Sequence, residues 1–226
     1  ERHVGDARKW NVRGAALVAQ DTRGRGDSED IDRAFGDDGW GEERHDGADT
    51  VAWIKAERWC NGKIGTIGGS ALGITQALLA GSTQDLACQS MVVTASDFYD
   101  QIAYQGGVFR KSLAEGWLRA QKSPHVIDMW KAHPTKDAFW QRHDVGERAP
   151  EITSPGLHIG GWFDIFGKGT VENFTSRQYR GGEGARDNQI LVMGPWIHGV
   201  KQTIGDLTFP DNFQFDFGKI ERAFMD

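Results

Sequence analysis

Cysteine, proline, basic charge and long apolar runs are all scarce in this chain of 226 residues. The longest apolar stretches, such as Ala15 to Ala19 and Leu191 to Met193, fall far short of the roughly 18 residues a membrane span requires. No membrane span is expected, and the chain reads as soluble. Two cysteines, Cys60 and Cys88, are too few for a disulfide scaffold and lack the C-x-x-C spacing of a zinc or redox site. Six prolines and the lack of any three-residue glycine period exclude collagen and disordered low-complexity sequence. Lys+Arg number 26 against 32 Asp+Glu, and no basic stripe exists to follow a phosphate backbone, so no nucleic-acid partner is expected.

Glycine, in contrast, is abundant, with 30 residues in a turn-rich chain. The whole net charge of −6 is concentrated between Asp21 and Asp46, which hold ten acids and four bases. An EF-hand loop begun at Asp30 would need an oxygen ligand at Ala34 and a glycine at Phe35, and both fail. A solvated, glycine-broken loop is the better reading. The tetrapeptide Arg25-Gly26-Asp27-Ser28 within it spells an adhesion motif, but a turn after a strand explains it equally well. The sequence starts at Glu1 and ends inside a helical pattern, Phe217, Ile220 and Phe224, so it reads as part of a longer chain. Any signal peptide would lie upstream, which leaves the compartment open.

Apolar runs alternate with helical patterns. Gly14 to Gln20, Lys63 to Ile67, Leu86 to Thr94, Gly156 to Gly160 and Gln189 to Met193 read as strands. Helices are expected from about Arg44 to Glu57, from Ala71 to Ala80 and from about Lys168 to Tyr179. This alternation predicts an α/β fold with a mostly parallel sheet covered on both faces. The first part of the core is expected over 1–96 and the second over 151–226. Between them 97–150, rich in tryptophan but poor in strand-like alternation, reads as an inserted helical lid.

The sharpest local signal is Thr66-Ile67-Gly68-Gly69-Ser70-Ala71-Leu72-Gly73, where a strand runs through glycines straight into a helix. A serine at such an elbow is exposed above the sheet beside a helix N-terminus. The common elbow is G-x-S-x-G, whereas here Leu72 stands two residues after Ser70 and Gly73 three after. A dinucleotide-binding turn is the alternative, yet the run never fits G-x-G-x-x-G and no G-K-[ST] follows. The rest of the chain supplies an acid and a base in the order Ser, Asp, His expected of an α/β hydrolase. Asp164 follows one strand in Gly160-Gly161-Trp162-Phe163-Asp164, and His198 follows the next in Gly194-Pro195-Trp196-Ile197-His198-Gly199. Asp144 and Asp187 compete for the acid position, though neither lies just past a strand. Trp162, Phe163 and Trp196 are candidates for an aromatic substrate pocket, or for core. His158, inside a strand, reads as a hydrogen-bonded core histidine. His125, His133 and His143 share no helical face, so no metal site is expected there.

With the segments Gln20-Asp21-Thr22-Arg23-Gly24-Arg25-Gly26-Asp27-Ser28 and Trp59-Cys60-Asn61-Gly62-Lys63-Ile64-Gly65 added, the chain resembles the CocE/NonD-type α/β hydrolases, the cocaine esterase and X-prolyl dipeptidyl-peptidase superfamily. The resemblance implies a serine hydrolase of esters or amides, including short X-Pro peptides, with Ser70 as nucleophile, Asp164 as acid and His198 as base. It implies the Ala71 N–H as one oxyanion donor and a tyrosine hydroxyl upstream of Glu1 as the other. Ala71 departs from the tyrosine usual after the nucleophile, and the family's C-terminal β-sandwich has no counterpart before Asp226. No metal or organic cofactor is implied. An acyltransferase and a non-catalytic binding module on the same fold stay open as alternatives.

Overall fold

The computed structural model describes residues 4–34 and 45–226, with 4–6 by their backbone alone. The chain forms two units, Glu1–Asp32 and Arg33–Asp226. The acidic stretch at 35–44, with Phe35 of the rejected calcium loop and Arg44 of the expected helix start, lies outside the described residues.

The first unit holds helix α1 (Val4–Asn11) and a glycine-rich turn. The turn is closed by its own charges: Arg25 forks onto Asp32 through Nε (3.1 Å) and Nη2 (2.9 Å), and the Ser28 hydroxyl donates to the Asp21 carbonyl at 2.8 Å. The guanidinium of the adhesion-like tetrapeptide is therefore engaged within the loop. The strand expected at Gly14 to Gln20 does not form; these residues carry no regular structure and are largely exposed. A strand exists only as a rung of a ladder, and this run joins none of the ladders among the described residues.

The second unit is built on a four-stranded parallel sheet. Helix α2 (Asp46–Ala56) leads to β1 (Gly65–Gly69), α3 (Ala71–Ala80) and β2 (Cys88–Val92). The segment after β2 opens with a π-helical turn (Tyr99–Ala103) and the hairpin β3 (Tyr104–Gln105) and β4 (Val108–Phe109). It continues through α4 (Lys111–Ala120), α5 (His125–Lys131) and α6 (Ala138–Gln141). The chain then returns as β5 (Gly156–Gly161), α7 (Gly167–Arg180) and β6 (Gln189–Gly194). A second hairpin, β7 (Thr203–Ile204) and β8 (Leu207–Thr208), precedes α8 (Phe217–Met225). The strand order is β1-β2-β5-β6, every pair parallel. All loops that leave the strands at their C-terminal ends therefore gather along one edge of the sheet.

Alternation along β2 shows how both faces are covered. Gln89 reaches α3 and α7, donating to the Gln76 carbonyl (2.9 Å) and accepting from Arg177 Nη1 (2.7 Å). Its neighbour Ser90 points the other way and donates to Glu221 of α8 at 3.0 Å. On β5, Leu157 and Ile159 join the α8-side cluster with Phe215, Phe217, Ile220 and Phe224. His158 between them faces α7; it is fully buried, with Nε2 2.9 Å from Gln189 Oε1. Burial pushes its imidazole down to about 3, and the nearby Arg177 charge adds to the effect.

Residues 97–150 supply the aromatic part of a core that they share with α3 and Phe166. Trp130 and Trp140 meet at 5.8 Å, and Tyr99 and Tyr104 stack at 4.7 Å. Their polar tips are satisfied by carbonyls: Tyr99 donates to Pro134 (2.8 Å) and the Trp140 indole to His133 (2.8 Å). This matters because an unpaired buried donor is expensive. Residues 97–150 are held near their two ends by Lys136, whose Nζ lies 2.7 Å from both Asp97 and Asp144. Among the described residues no helix is long and apolar enough to cross a membrane.

Candidate active site

Ser70 sits at the junction of β1 and α3 with φ 55° and ψ −119°, a left-handed conformation that a side-chain-bearing residue adopts at a cost of about 1–3 kcal/mol. The surroundings over-determine it. Its N–H donates to the Val92 carbonyl at 2.9 Å, and its own carbonyl accepts from Gly73 and Ile74 at 2.9 Å each. Gly73 permits the close approach of α3 to the sheet, since a Cβ there would lie 2.7 Å from the Thr94 side chain. Gly68 permits the elbow itself: at φ +147°, a Cβ would fall 2.6 Å from Leu72 Cβ. Ala71, the first residue of α3, has an N–H with no intrahelical acceptor, as at every helix start.

Asp164 and His198 leave the C-terminal ends of β5 and β6, and their loops are pinned to each other by backbone. Trp162 N–H donates to the Gly194 carbonyl (2.9 Å) and Phe163 N–H to the Trp196 carbonyl (3.0 Å). Gly161 must be glycine for this, because a Cβ would lie 2.1 Å from the Trp196 oxygen. The Asp164 side chain is completely shielded from solvent. Its Oδ1 accepts from the Phe166 N–H at 2.7 Å, and its Oδ2 lies 2.7 Å from His198 Nδ1. The other imidazole nitrogen, Nε2, lies 2.8 Å from Ser70 Oγ. Three residues separated by up to 128 positions thus form one hydrogen-bonded line. A shielded carboxylate on Nδ1 sets the tautomer that leaves Nε2 free to accept the serine proton.

The remaining candidates divide. Trp162 is 65 % and Phe163 44 % exposed just before Asp164, whereas Trp196 is buried against Phe215 and Phe217 at 5.0 and 4.7 Å. Trp196 is therefore core beneath the α8 face and not pocket wall; the backbone turn that brings its oxygen toward Gly161 sends the indole into the α8-side cluster. Asp144 is held by Lys136, and Asp187 lies in the turn before β6, at φ 63°. His143 packs against Phe98 at 5.0 Å, and His133 pairs with Asp137 at 2.7 Å. No group of histidine, cysteine or acidic residues with metal-binding geometry occurs among the described residues. Phe166 went unread in the sequence: its ring stands edge-to-face to the His198 imidazole at 5.4 Å and 83°. Its only signal is its place two residues past the acid.

The chain is 29% identical over 235 residues to the cocaine esterase of Rhodococcus sp. (strain MB1 Bresler), an alignment covering 82% of this chain and 39% of the relative. A putative serine esterase of Mycobacterium bovis is 30% identical over 56% of this chain and 21% of its own length. The chain thus spans well under half the length of these curated relatives. Among solved structures, a CocE/NonD family hydrolase from Staphylococcus aureus superposes with a TM-score of 0.68 at 20% identity, covering 91% of this chain and 35% of that one. An acetyl xylan esterase from Thermoanaerobacterium sp. does so with a TM-score of 0.66 at 15% identity, covering 98% and 68%. These likenesses establish the α/β-hydrolase fold. The model of the X-Pro dipeptidyl-peptidase (S15) family matches residues 2–123 and 118–200, and by that match the chain belongs to this family of CocE/NonD-type hydrolases.

Proposed function

We propose that this chain carries the nucleophile, base and acid of a serine hydrolase that cleaves an ester or amide through an acyl-enzyme. The observation that carries the reading is the line Asp164–His198–Ser70, with contacts of 2.7 and 2.8 Å. Ser70 Oγ attacks the substrate carbonyl carbon while its proton passes to His198 Nε2. The negative charge that develops on the carbonyl oxygen meets the Ala71 N–H, reinforced by the N-terminus of α3. His198 then gives the proton to the leaving alcohol or amine, the carbon–heteroatom bond breaks, and the acyl group stays on Ser70. Water repeats the sequence: it loses a proton to Nε2, attacks the ester, and Ser70 recovers its proton as the acid departs. Asp164 remains ionised throughout, holding the imidazole tautomer and stabilising the imidazolium.

Exposed Trp162 and Phe163 just before Asp164 support an aromatic rim for an apolar acyl or leaving group, with 97–150 as the lid above it. The relatives named as esterases and the X-Pro family description support two substrate classes, acyl esters and X-Pro dipeptides. Hydrolysis of a p-nitrophenyl acyl ester and of an X-Pro p-nitroanilide by the full-length protein, each beside Ser70→Ala, tests the reading. Turnover of at least one substrate that disappears in Ser70→Ala is expected. Equal turnover by wild type and Ser70→Ala would refute it.

A further inference from the structure

Resting on the triad reading, we propose that Phe166 is a positioning residue that fixes both the acid and the base. Its backbone N–H donates to Asp164 Oδ1 at 2.7 Å, so one carboxylate oxygen is held while the other faces His198. Its ring stands edge-to-face to the His198 imidazole, 5.4 Å between centroids and 83° between planes. His198 needs such a wall. It follows β6 on a loop without regular helix or strand, and its side chain is 34% exposed. Its contact with Asp164 restrains one nitrogen but leaves rotation about that hydrogen bond, which swings Nε2 away from Ser70. A ring against the imidazole face or edge blocks that rotation, and aromatic pairs of this geometry carry favourable energy beyond area burial.

Phe166 is itself immobilised. Only 7 % exposed, it belongs to the buried cluster that holds Ile74 of α3 and Phe98, Trp130 and Trp140 of the inserted segment. Its carbonyl accepts from Thr170 N–H in the first turn of α7 at 2.8 Å. The ring therefore transmits the packing of residues 97–150 and of the nucleophile helix to the general base. A misplacement of the base by about 1 Å is enough to lower turnover on the order of 100-fold, so the effect of losing the ring falls on the chemical step and not on substrate binding.

The test uses the full-length protein with Phe166→Leu and Phe166→Met, which fill much of the volume without a ring, and Phe166→Tyr, which keeps it. Phe98→Leu, in the same cluster against Trp130 and His143, is the control for core loosening alone. Three quantities are read per active site titrated with a fluorophosphonate: kcat, KM, and the rate of phosphonylation. The downfield proton resonance of the Asp164–His198 hydrogen bond is read beside them. Phe166→Leu and Phe166→Met are expected to lose on the order of 10- to 100-fold in kcat and in phosphonylation rate, with KM unchanged and the downfield resonance broadened by exchange. Phe166→Tyr is expected to restore most of the rate, and Phe98→Leu to lower the melting temperature without altering kcat per site. Wild-type kcat and resonance in Phe166→Leu or Phe166→Met, or a loss confined to KM, would overturn the positioning role alone. Failure of the wild type to be phosphonylated at Ser70 would overturn the triad reading and the positioning role together.

Discussion

Leu72 occupies the position two residues after Ser70 because Gly68, two residues before it, has no side chain. A Cβ on Gly68 would lie 2.6 Å from Leu72 Cβ and would have to be carried at φ +147°. Steric relief in this elbow thus sits on the strand side, with Gly73 opening the helix side toward Thr94. Gly68→Ala is expected to destabilise the protein by about 1–3 kcal/mol through overlap and backbone strain together. Chemical denaturation of Gly68→Ala, of Leu72→Gly and of the Gly68→Ala/Leu72→Gly double variant separates the two, because the overlap is with the Leu72 Cβ itself, which only glycine removes. The double variant is expected to lose less stability than the two single losses summed, and full additivity would contradict the steric account.

Gly161 and Trp196 set the spacing between the loops that carry Asp164 and His198. Because a Cβ on Gly161 meets a backbone oxygen at 2.1 Å and its carbonyl carbon at 2.6 Å, no rotamer change relieves the contact. Gly161→Ala is expected to separate the two loops and lower kcat on the order of 100-fold with a smaller effect on KM. A variant with unchanged kcat would show that the loops tolerate independent movement.

The buried His158 makes stability depend on pH. Its folded-state value is pushed down to about 3 by burial, whereas an unfolded histidine titrates near about 6.5. Between those values the unfolded chain binds a proton that the folded chain does not, so stability falls as pH falls through that window. His158→Gln, which can still donate to Gln189, is expected to lose less stability than wild type between pH 7 and pH 4.5. Parallel losses in the two proteins would assign the acid sensitivity to other groups.

Lys136 holds Asp97 and Asp144 together near the two ends of residues 97–150, where their side chains are only 9% and 12% exposed. Burial pushes the Asp97 carboxyl up while the Lys136 hydrogen bond opposes it. Lys136→Met leaves two facing carboxylates and is expected to cost about 1–3 kcal/mol at neutral pH. Protonation of Asp97, whose carboxyl burial pushes up, relieves the repulsion, so the deficit relative to wild type should shrink as pH falls from 7 to 5. Urea midpoints measured across that range check the sign, and a constant deficit would contradict it.

What was legible in the sequence follows from how local each signal is. The helix at Ala71–Ala80 was readable at its observed bounds, because a glycine-rich elbow starts it and Gly81 ends it. Strands β5 and β6, with the loops after them that bring Asp164 and His198 within 2.7 Å of each other, are legible because parallel strands read as largely apolar runs ended by glycine. Gly14 to Gln20 has a similar composition but joins no ladder among the described strands, and ladder pairing is a property no single run carries. Sequence alone does not divide pocket from core for Trp196; proximity to His198 in sequence says nothing of side-chain direction once Gly194 and Pro195 turn the chain. The hairpin Tyr104 to Phe109 does carry a local signal, Gly106-Gly107, both at positive φ, between two short strands.

The account stands most directly on whether Ser70 is activated by His198. Incubation of the full-length protein with a fluorophosphonate, followed by peptide mapping by mass spectrometry, measures this. The predicted result is stoichiometric phosphonylation of Ser70 in wild type, abolished in Ser70→Ala and slowed on the order of 10⁴-fold or more in His198→Ala, since members of a triad act as a unit. Labelling of a different serine, or of Ser70 at the same rate without His198, would contradict it.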